Sequence, residues 1–415
     1  MCCGGIEQAF DTFYTMALGM LDAFYPVKSI TVSNRDPVFV TPEIKSLLRK
    51  INKLRRSGKI EAANSLSEKI SKIIIRRNSD TFSKTPRGSR ELWERVNKIT
   101  GKSKISQGVS QSSINADSLN AHYASMSTDK GYETPVTKRP EPRYFQTFSE
   151  YEVFNQLDTL GATACGLDGL PHWFLRIAAP CFSTPIAFLF NLSLTWSTVP
   201  RQWKASRITP VPKVPRPIAC SDFRPISITP ILSRIMEKTI VRQFFYPILH
   251  SPLFYSSFSD QFAFRPTGST TCALIKLTYE LTTMLQEYPY VHVISLDFSK
   301  AFDTVRHSSL VQKLSQFPIP NPVHNWFVNY LSGRSHCTKF QSTISGLLTI
   351  NASIFQGTSM GPVSYVFNSS DLVPCCPGNR FNKYADDTYI LVPRQITIPS
   401  TLNWKTFLNG LLTIT

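Results

Sequence analysis

The sequence predicts an α+β protein, and three observations carry that expectation. Apolar residues recur at helical three- and four-residue spacing within residues 41–104 and again further on. A short, nearly continuous apolar run, Val291 to Leu296, reads as a buried strand. The stretch NKYADDTYIL, Asn382 to Leu391, reads as two strands around a tight turn. With 415 residues and 42% hydrophobic content, the chain can bury a substantial core and hold two or three domains.

In chain order, residues 1–40 carry no motif that assigns them. MCCGGIEQAF lacks a basic region followed by an apolar run, so no secretion signal is expected. From Thr41 to Lys104 there are 18 Lys and Arg against 6 Asp and Glu, a surplus of 12 out of the whole-chain net charge of +17. Ile44, Leu47, Leu48, Ile51 and Leu54 set one helix face, and two helices joined near Gly58 are expected. Two readings of their cationic face stay open: a solvated surface, or a nucleic-acid-binding one. Residues 105–144, rich in Ser, Asn, Thr, Lys and Pro, are expected to be a flexible linker. A compact domain should follow over 145–392, opening at SEYEVFNQLDTL with a Ser cap, and with helices around 171–196 and 230–249. Residues 393–415 form a tail.

The strong positive charge implies a polyanionic partner, nucleic acid ahead of an acidic membrane surface. No apolar stretch reaches the roughly 20 residues that cross a bilayer, so no membrane partner is expected. The nine cysteines show no C-x-x-C spacing and read as reduced thiols, which makes the chain intracellular.

The acids are the informative residues. Asp386 and Asp387 are adjacent between apolar runs, where like charges repel, so something positive is expected beside them. A polar hairpin tip and a divalent-cation site both account for the pair. Asp297 ends the strand Val291–Leu296, where it is either a metal ligand or the N-cap of a following helix, a role that Asp303 suits better. Two carboxylate sites at strand ends in a basic chain suit divalent ions that bind phosphate oxygens, as in two-metal polymerases or nucleases.

At this point the residues resemble a family. KYADDTYILV is similar to the Y/F-A-D-D motif of reverse transcriptases, and LDFSKAFDTVRH resembles the partner motif of non-LTR, or LINE-type, retrotransposon polymerases. FQGTSMGPVSYVF is similar to that family's Q-G-x-x-x-G-P segment, while VPKVPRPIACSDFRPISITPILSRIMEK and DQFAFRPTGSTTCAL resemble its fingers motifs, all in the family's order. The likeness runs from about Asp117 to Val392, and the basic helices with ELWERVNKITGK look like the family's linker.

The resemblance implies the fingers and palm of a right-hand polymerase, an antiparallel palm sheet with helices behind it, preceded by the basic helical linker. It implies an RNA-directed DNA polymerase acting on an RNA template, a DNA primer or target and deoxynucleoside triphosphates, with two Mg²⁺ ions, or Mn²⁺, as cofactors, in nucleus or cytoplasm. Asp297, Asp386 and Asp387 would be the catalytic metal carboxylates, joined by the Phe298 carbonyl. Phe302 falls where the family places the aromatic gate under the nucleotide sugar; a core ring is its plainer role. Lys213 and Arg224 would hold the triphosphate, and Gln356 and Gly357 would shape the nucleotide pocket. Phe355 stands where the family often has Pro, Met360 replaces an aliphatic residue, and FAFRPTGST departs from the commoner form. Only 23 residues follow Val392, so the thumb is expected to be missing, and a catalytically impaired nucleic-acid-binding relic is the alternative reading.

Overall fold

The computed structural model describes residues 4–27, 40–83, 93, 114–140, 148–374, 376–393 and 412–413. The chain divides into two compact units, one of residues 24–112 and one of residues 1–23 with 113–415.

The smaller unit is a helical hairpin of α2 (Pro42–Arg56) and α3 (Ile60–Ser83). Thr41 caps α2 by accepting from the Ile44 amide at 3.3 Å, and Pro42 takes the first helical turn, where its missing N–H costs nothing. Gly58 turns the chain at φ +74°, a conformation that glycine adopts without strain. Ile44, Ile51, Ala63 and Ile70 form the seam, while Lys53, Arg55 and Arg56 gather in the last turn of α2, where cations suit the helix dipole.

The larger unit begins with α1 (Gly4–Phe24), in the segment that the sequence left unassigned. Its Phe10 packs edge-on against Trp203 at 5.1 Å and its Phe13 against Phe182 at 5.4 Å. Next comes α4 (Ala116–Met126), entered through a reciprocal Asn115–Ser118 cap. Leu119 and Tyr123 of α4 are buried with Ile208 and Phe223. The expected flexible linker over 105–144 is therefore corrected for its described part, residues 114–140. Asn351 holds the backbone of Asp129, and Asn325 both donates to and accepts from the backbone of Lys138. Side-chain amides from distant elements replace the strand partner that this polar strap lacks.

α5 (Glu150–Asp158) starts at the expected Ser149 cap, with Glu152 closing the box. The predicted helix at 171–196 is a short α6 (His172–Ile177) followed by α7 (Ala179–Thr195). That at 230–249 is α8 (Ile231–Ile240) running through a π turn into α9 (Tyr246–His250). Further on lie α10 (Thr270–Glu287), α11 (His307–Ser315), α12 (Asn321–Leu331) and α13 (Met360–Asn368).

Two sheets position the motifs. In the first, β1 (Ala205–Pro212) pairs antiparallel with β2 (Phe223–Ile228) and parallel with β4 (Arg334–Phe340), which also pairs β5 (Thr343–Ile344) and β6 (Leu348–Ile350). The two-residue β7 (Val373–Pro374) pairs β10 (Leu412–Thr413). The other main sheet is antiparallel with order β3-β9-β8, built from β3 (Val291–Leu296), β8 (Arg380–Tyr384) and β9 (Asp387–Pro393).

Candidate active site

β8 and β9 pair until Tyr384 meets Asp387, which leaves Ala385 and Asp386 as a two-residue hairpin tip. Ala385 has φ +56°, at the first central position of the turn, where glycine is the usual residue. On the other side of β9, the β3 ladder ends at Leu296↔Thr388, and one further step of that register sets Asp297 opposite Asp387. Because side chains alternate along strands, Asp297 and Asp387 share a face with Ser295 and Tyr389. The other face carries Ile294, Leu296, Ile390 and Val392, packed on Leu372 and Phe381. Period-two burial of that apolar face fixes which way the acids point.

Asp297 and Asp387 are exposed and Asp386 is half-buried, so water screens the acids more than their apolar flanks suggested. Lys383, three residues before Asp386, does not face water with them. Lys383 is fully buried, and its Nζ pairs with Asp260 Oδ2 at 2.9 Å and donates to the carbonyls of Ser369 and Leu372. Burial pushes the Lys383 ammonium down, opposed by Asp260, and burial pushes Asp260 up, opposed by Lys383.

Phe302 is half-buried and stacks on Tyr365 of α13, with ring centroids 4.5 Å apart and planes 22° apart. Burial raises the Tyr365 phenol, and the Asp386 and Asp387 carboxylates raise it further, which puts both acids within electrostatic reach of that ring. Asp303 follows, but not as an N-cap: the next helix, α11, starts at His307, and Asp303 accepts from Gln356 Nε2 at 3.0 Å. Burial raises the Asp303 carboxyl, while Gln356, Lys213 and Lys300 hold it down. Gln356 also accepts from the Ser227 amide of β2 at 2.8 Å through its backbone carbonyl. Gly357 has φ +98°, and a Cβ there would lie 2.8 Å from the Ser227 carbonyl oxygen, so its backbone approaches β2 as only glycine can.

Lys213 and Arg224 are exposed at the loop end of the β1–β2 hairpin, where Arg224 faces Val211 and Lys213 Nζ donates to the Ser221 carbonyl at 2.9 Å. The structure thus links Lys213, Asp303, Gln356, Phe302, Tyr365 and the hairpin acids in one chain of contacts and fields. It joins Arg224 to that chain only through the shared hairpin.

Residues that sequence reasoning missed hold this arrangement. Gln261 accepts from the Ala385 amide at 3.0 Å. Glu237 of α8 is fully buried and accepts from the Ser359 and Met360 amides at 3.0 and 3.2 Å, which caps α13 with a carboxylate at its positive end. The one sequence signal for Gln261 was its place beside Asp260 in DQFAFRPTGST.

Hard oxygen donors at strand ends with open faces suit Mg²⁺, which takes few carboxylates and leaves room for phosphate oxygens. Among the described residues no three His, Cys, Asp or Glu side chains already converge as a shell. Asp297 and Asp387 each lie one residue beyond the last β3–β9 pair, with Asp386 next to Asp387 at the hairpin tip. The donor set fits such an ion.

An antiparallel sheet that presents acids from a strand end and a hairpin tip, with helices packed behind, is the palm of a right-hand polymerase. Residues 211–404 match the family described as reverse transcriptase (RNA-dependent DNA polymerase). The chain is similar to a probable RNA-directed DNA polymerase from transposon X-element of Drosophila melanogaster, 29% identical over 45% of this chain and 20% of that protein. It is also similar to the RNA-directed DNA polymerase from mobile element jockey of the same species, 25% identical over 60% of this chain and 27% of that protein. The chain thus spans about a quarter or less of each of these relatives. Among solved structures, a telomerase from Candida tropicalis bound to a TWJ fragment of telomeric RNA is similar at 10% identity and TM-score 0.34, over 58% of this chain and 42% of that one.

Proposed function

We propose that this chain is the fingers and palm of an RNA-directed DNA polymerase that adds deoxynucleotides to a primer 3′-end on an RNA template. The observation that carries this reading is the β3–β9 register, whose last pair, Leu296↔Thr388, stops one residue short of Asp297 and Asp387, with Asp386 at the adjoining hairpin tip. Asp297, Asp386, Asp387 and the Phe298 carbonyl would hold two Mg²⁺ ions, which lower the pKa of the 3′-hydroxyl and neutralise the leaving pyrophosphate. Lys213 and Arg224, exposed cations on the β1–β2 hairpin, meet the triphosphate, with Arg suited to bidentate contact and Lys to a point charge. Phe302, held against Tyr365, sets the floor under the sugar and leaves no space for a 2′-hydroxyl. Gln356, oriented by Asp303, borders the same pocket. These contacts hold the 3′-oxygen within about 3–3.5 Å of the α-phosphorus, from which the oxygen displaces pyrophosphate. The basic hairpin α2–α3 binds the phosphate backbone of RNA or DNA.

Primer extension on an RNA template tests the reading, with Asp386→Asn as the control. The parent should extend, and the variant should lose extension at least a hundredfold while retaining nucleic-acid retardation, since Asn keeps the shape but removes a ligand charge. Retardation without extension by the parent would mark a binding relic, and shortened primers a nuclease. Equal extension by parent and variant would overturn the metal role of the Asp pair.

A further inference from the structure

The hairpin tip is gripped by a segment outside its own sheet. Residues 260–262 run beside β8 as a parallel bridge: the Lys383 amide donates to the Asp260 carbonyl at 2.7 Å, and the Phe262 amide donates to the Lys383 carbonyl at 2.9 Å. Between them Gln261, 2% exposed, sends its side chain past the end of the ladder. Its Oε1 accepts from the Ala385 and Ala263 amides, both at 3.0 Å, and its Nε2 donates to the Ala385 carbonyl at a longer 3.4 Å. One amide therefore satisfies both backbone groups of a residue that the turn leaves without a strand partner. The gripping loop is itself fixed: Arg265 donates to the carbonyls of Phe258 and Leu249, and a Cβ at Gly268 would lie 1.9 Å from the Phe262 carbonyl oxygen.

Ala385 is the residue that needs such a grip. It holds φ +56°, a conformation disfavoured for any residue with a Cβ, and it immediately precedes Asp386. Rotation about its backbone swings Asp386 and unpairs Tyr384 from Asp387 at the last rung of the hairpin. We propose that Gln261 is a positioning residue of the catalytic hairpin, clamping Ala385 in its left-handed conformation so that Asp386 and Asp387 face Asp297 as one cation-binding set. The inference rests on the polymerase reading for its chemistry. Its geometry, an amide that reads both backbone groups of one strained residue, stands independently of that reading.

The test measures Mn²⁺ binding by loss of the free-ion electron paramagnetic resonance signal in the full chain, with Asp386→Asn marking loss of the site. Gln261→Met keeps the buried volume and removes the amide; it should weaken Mn²⁺ about tenfold, the scale of losses at groups that orient metal ligands. Adding Ala385→Gly should restore binding to within about threefold of the parent, because glycine adopts the left-handed angle without a clamp. Ala385→Gly alone should leave affinity unchanged. A packing role for Gln261 would lower the melting temperature, and glycine at 385 would not rescue it. Parent-like affinity in Gln261→Met, or a double variant no better than the single, overturns the proposal. Should Gln261→Met fail to fold, Ala385→Val opposes the same angle with the clamp in place; it should weaken Mn²⁺ similarly, and parent-like binding would overturn the clamp. A parent that binds Mn²⁺ no better than Asp386→Asn would bring down the metal reading itself, and the clamp's function with it.

Discussion

Lys383→Met should be among the most damaging single substitutions in the palm, although methionine nearly matches the volume of the lysine stem. The Lys383 side chain is 1% exposed, and its ammonium is matched by Asp260 Oδ2 at 2.9 Å, by the Ser369 carbonyl at 3.4 Å and by the Leu372 carbonyl. Removing it strands the Asp260 carboxylate, whose side chain is only 13% exposed and whose Oδ1 already has no partner. Breaking a buried pair from one side costs about 3–5 kcal/mol, because the remaining charge keeps its desolvation penalty and loses its compensation. Replacing both members costs far less, so Lys383→Met/Asp260→Asn should recover at least half of the loss. Burial already raises Asp260 with its partner present, and without Lys383 it rises further. A carboxyl raised in the fold binds its proton more tightly folded than unfolded, so the variant loses stability as pH climbs, and its deficit should be larger at pH 8 than at pH 5. Urea unfolding at both pH values, on the parent, Lys383→Met, Asp260→Asn and the double variant, measures each of these quantities. A deficit for Lys383→Met below about 1 kcal/mol, or a double variant no more stable than the single, would refute the idea that this pair is desolvated and coupled.

The remaining predictions concern pH and the sugar floor. Burial lowers His307 and His336 to about 4, and each has one ring nitrogen buried without a partner, so the unfolded chain takes up their protons first and stability should rise with pH between about 4 and 6.5. Asp168, raised to about 6 by burial, works against them between about pH 4 and 6, by up to about 3 kcal/mol; Asp168→Asn should therefore steepen the rise, and an unchanged slope in urea unfolding would contradict the assignment. Phe302→Val removes the ring that lies 4.5 Å from Tyr365, and it should admit ribonucleotides at least tenfold better relative to deoxynucleotides in single-nucleotide incorporation; unchanged selectivity with normal extension would return Phe302 to a packing role.

What was legible in the sequence is what neighbouring residues decide among themselves. The α2–α3 hairpin, its Gly58 turn, the Ser149–Glu152 cap and the β8–β9 turn each follow from periodicity or local hydrogen bonding within a few residues. The strand before Asp297 was readable for the same reason, although it was expected to be buried and Val293 is exposed. Its alignment with Asp387 was not, because register is fixed by burial of Ile294, Leu296, Ile390 and Val392 on one face, a condition met only in three dimensions. The misreadings share one cause. Residues 114–140 look like a linker because they are polar, yet their backbone partners are Asn325 and Asn351, far along the chain. Asp303 looks like a helix cap because a helix follows, yet Gln356 holds it. Lys383, on which the sequence was silent, is likewise drawn into the interior by Asp260. In each case a polar side chain that local rules would send to water is buried with a partner remote in sequence. A buried polar group must find a partner or lose about 1–3 kcal/mol, so such pairs tolerate few alternative geometries. That intolerance suits a palm whose exposed acids repel one another: the rigidity that keeps Asp297, Asp386 and Asp387 together has to come from beneath the sheet, from Gln261, Lys383 and Asp260 acting on the hairpin's backbone and stem.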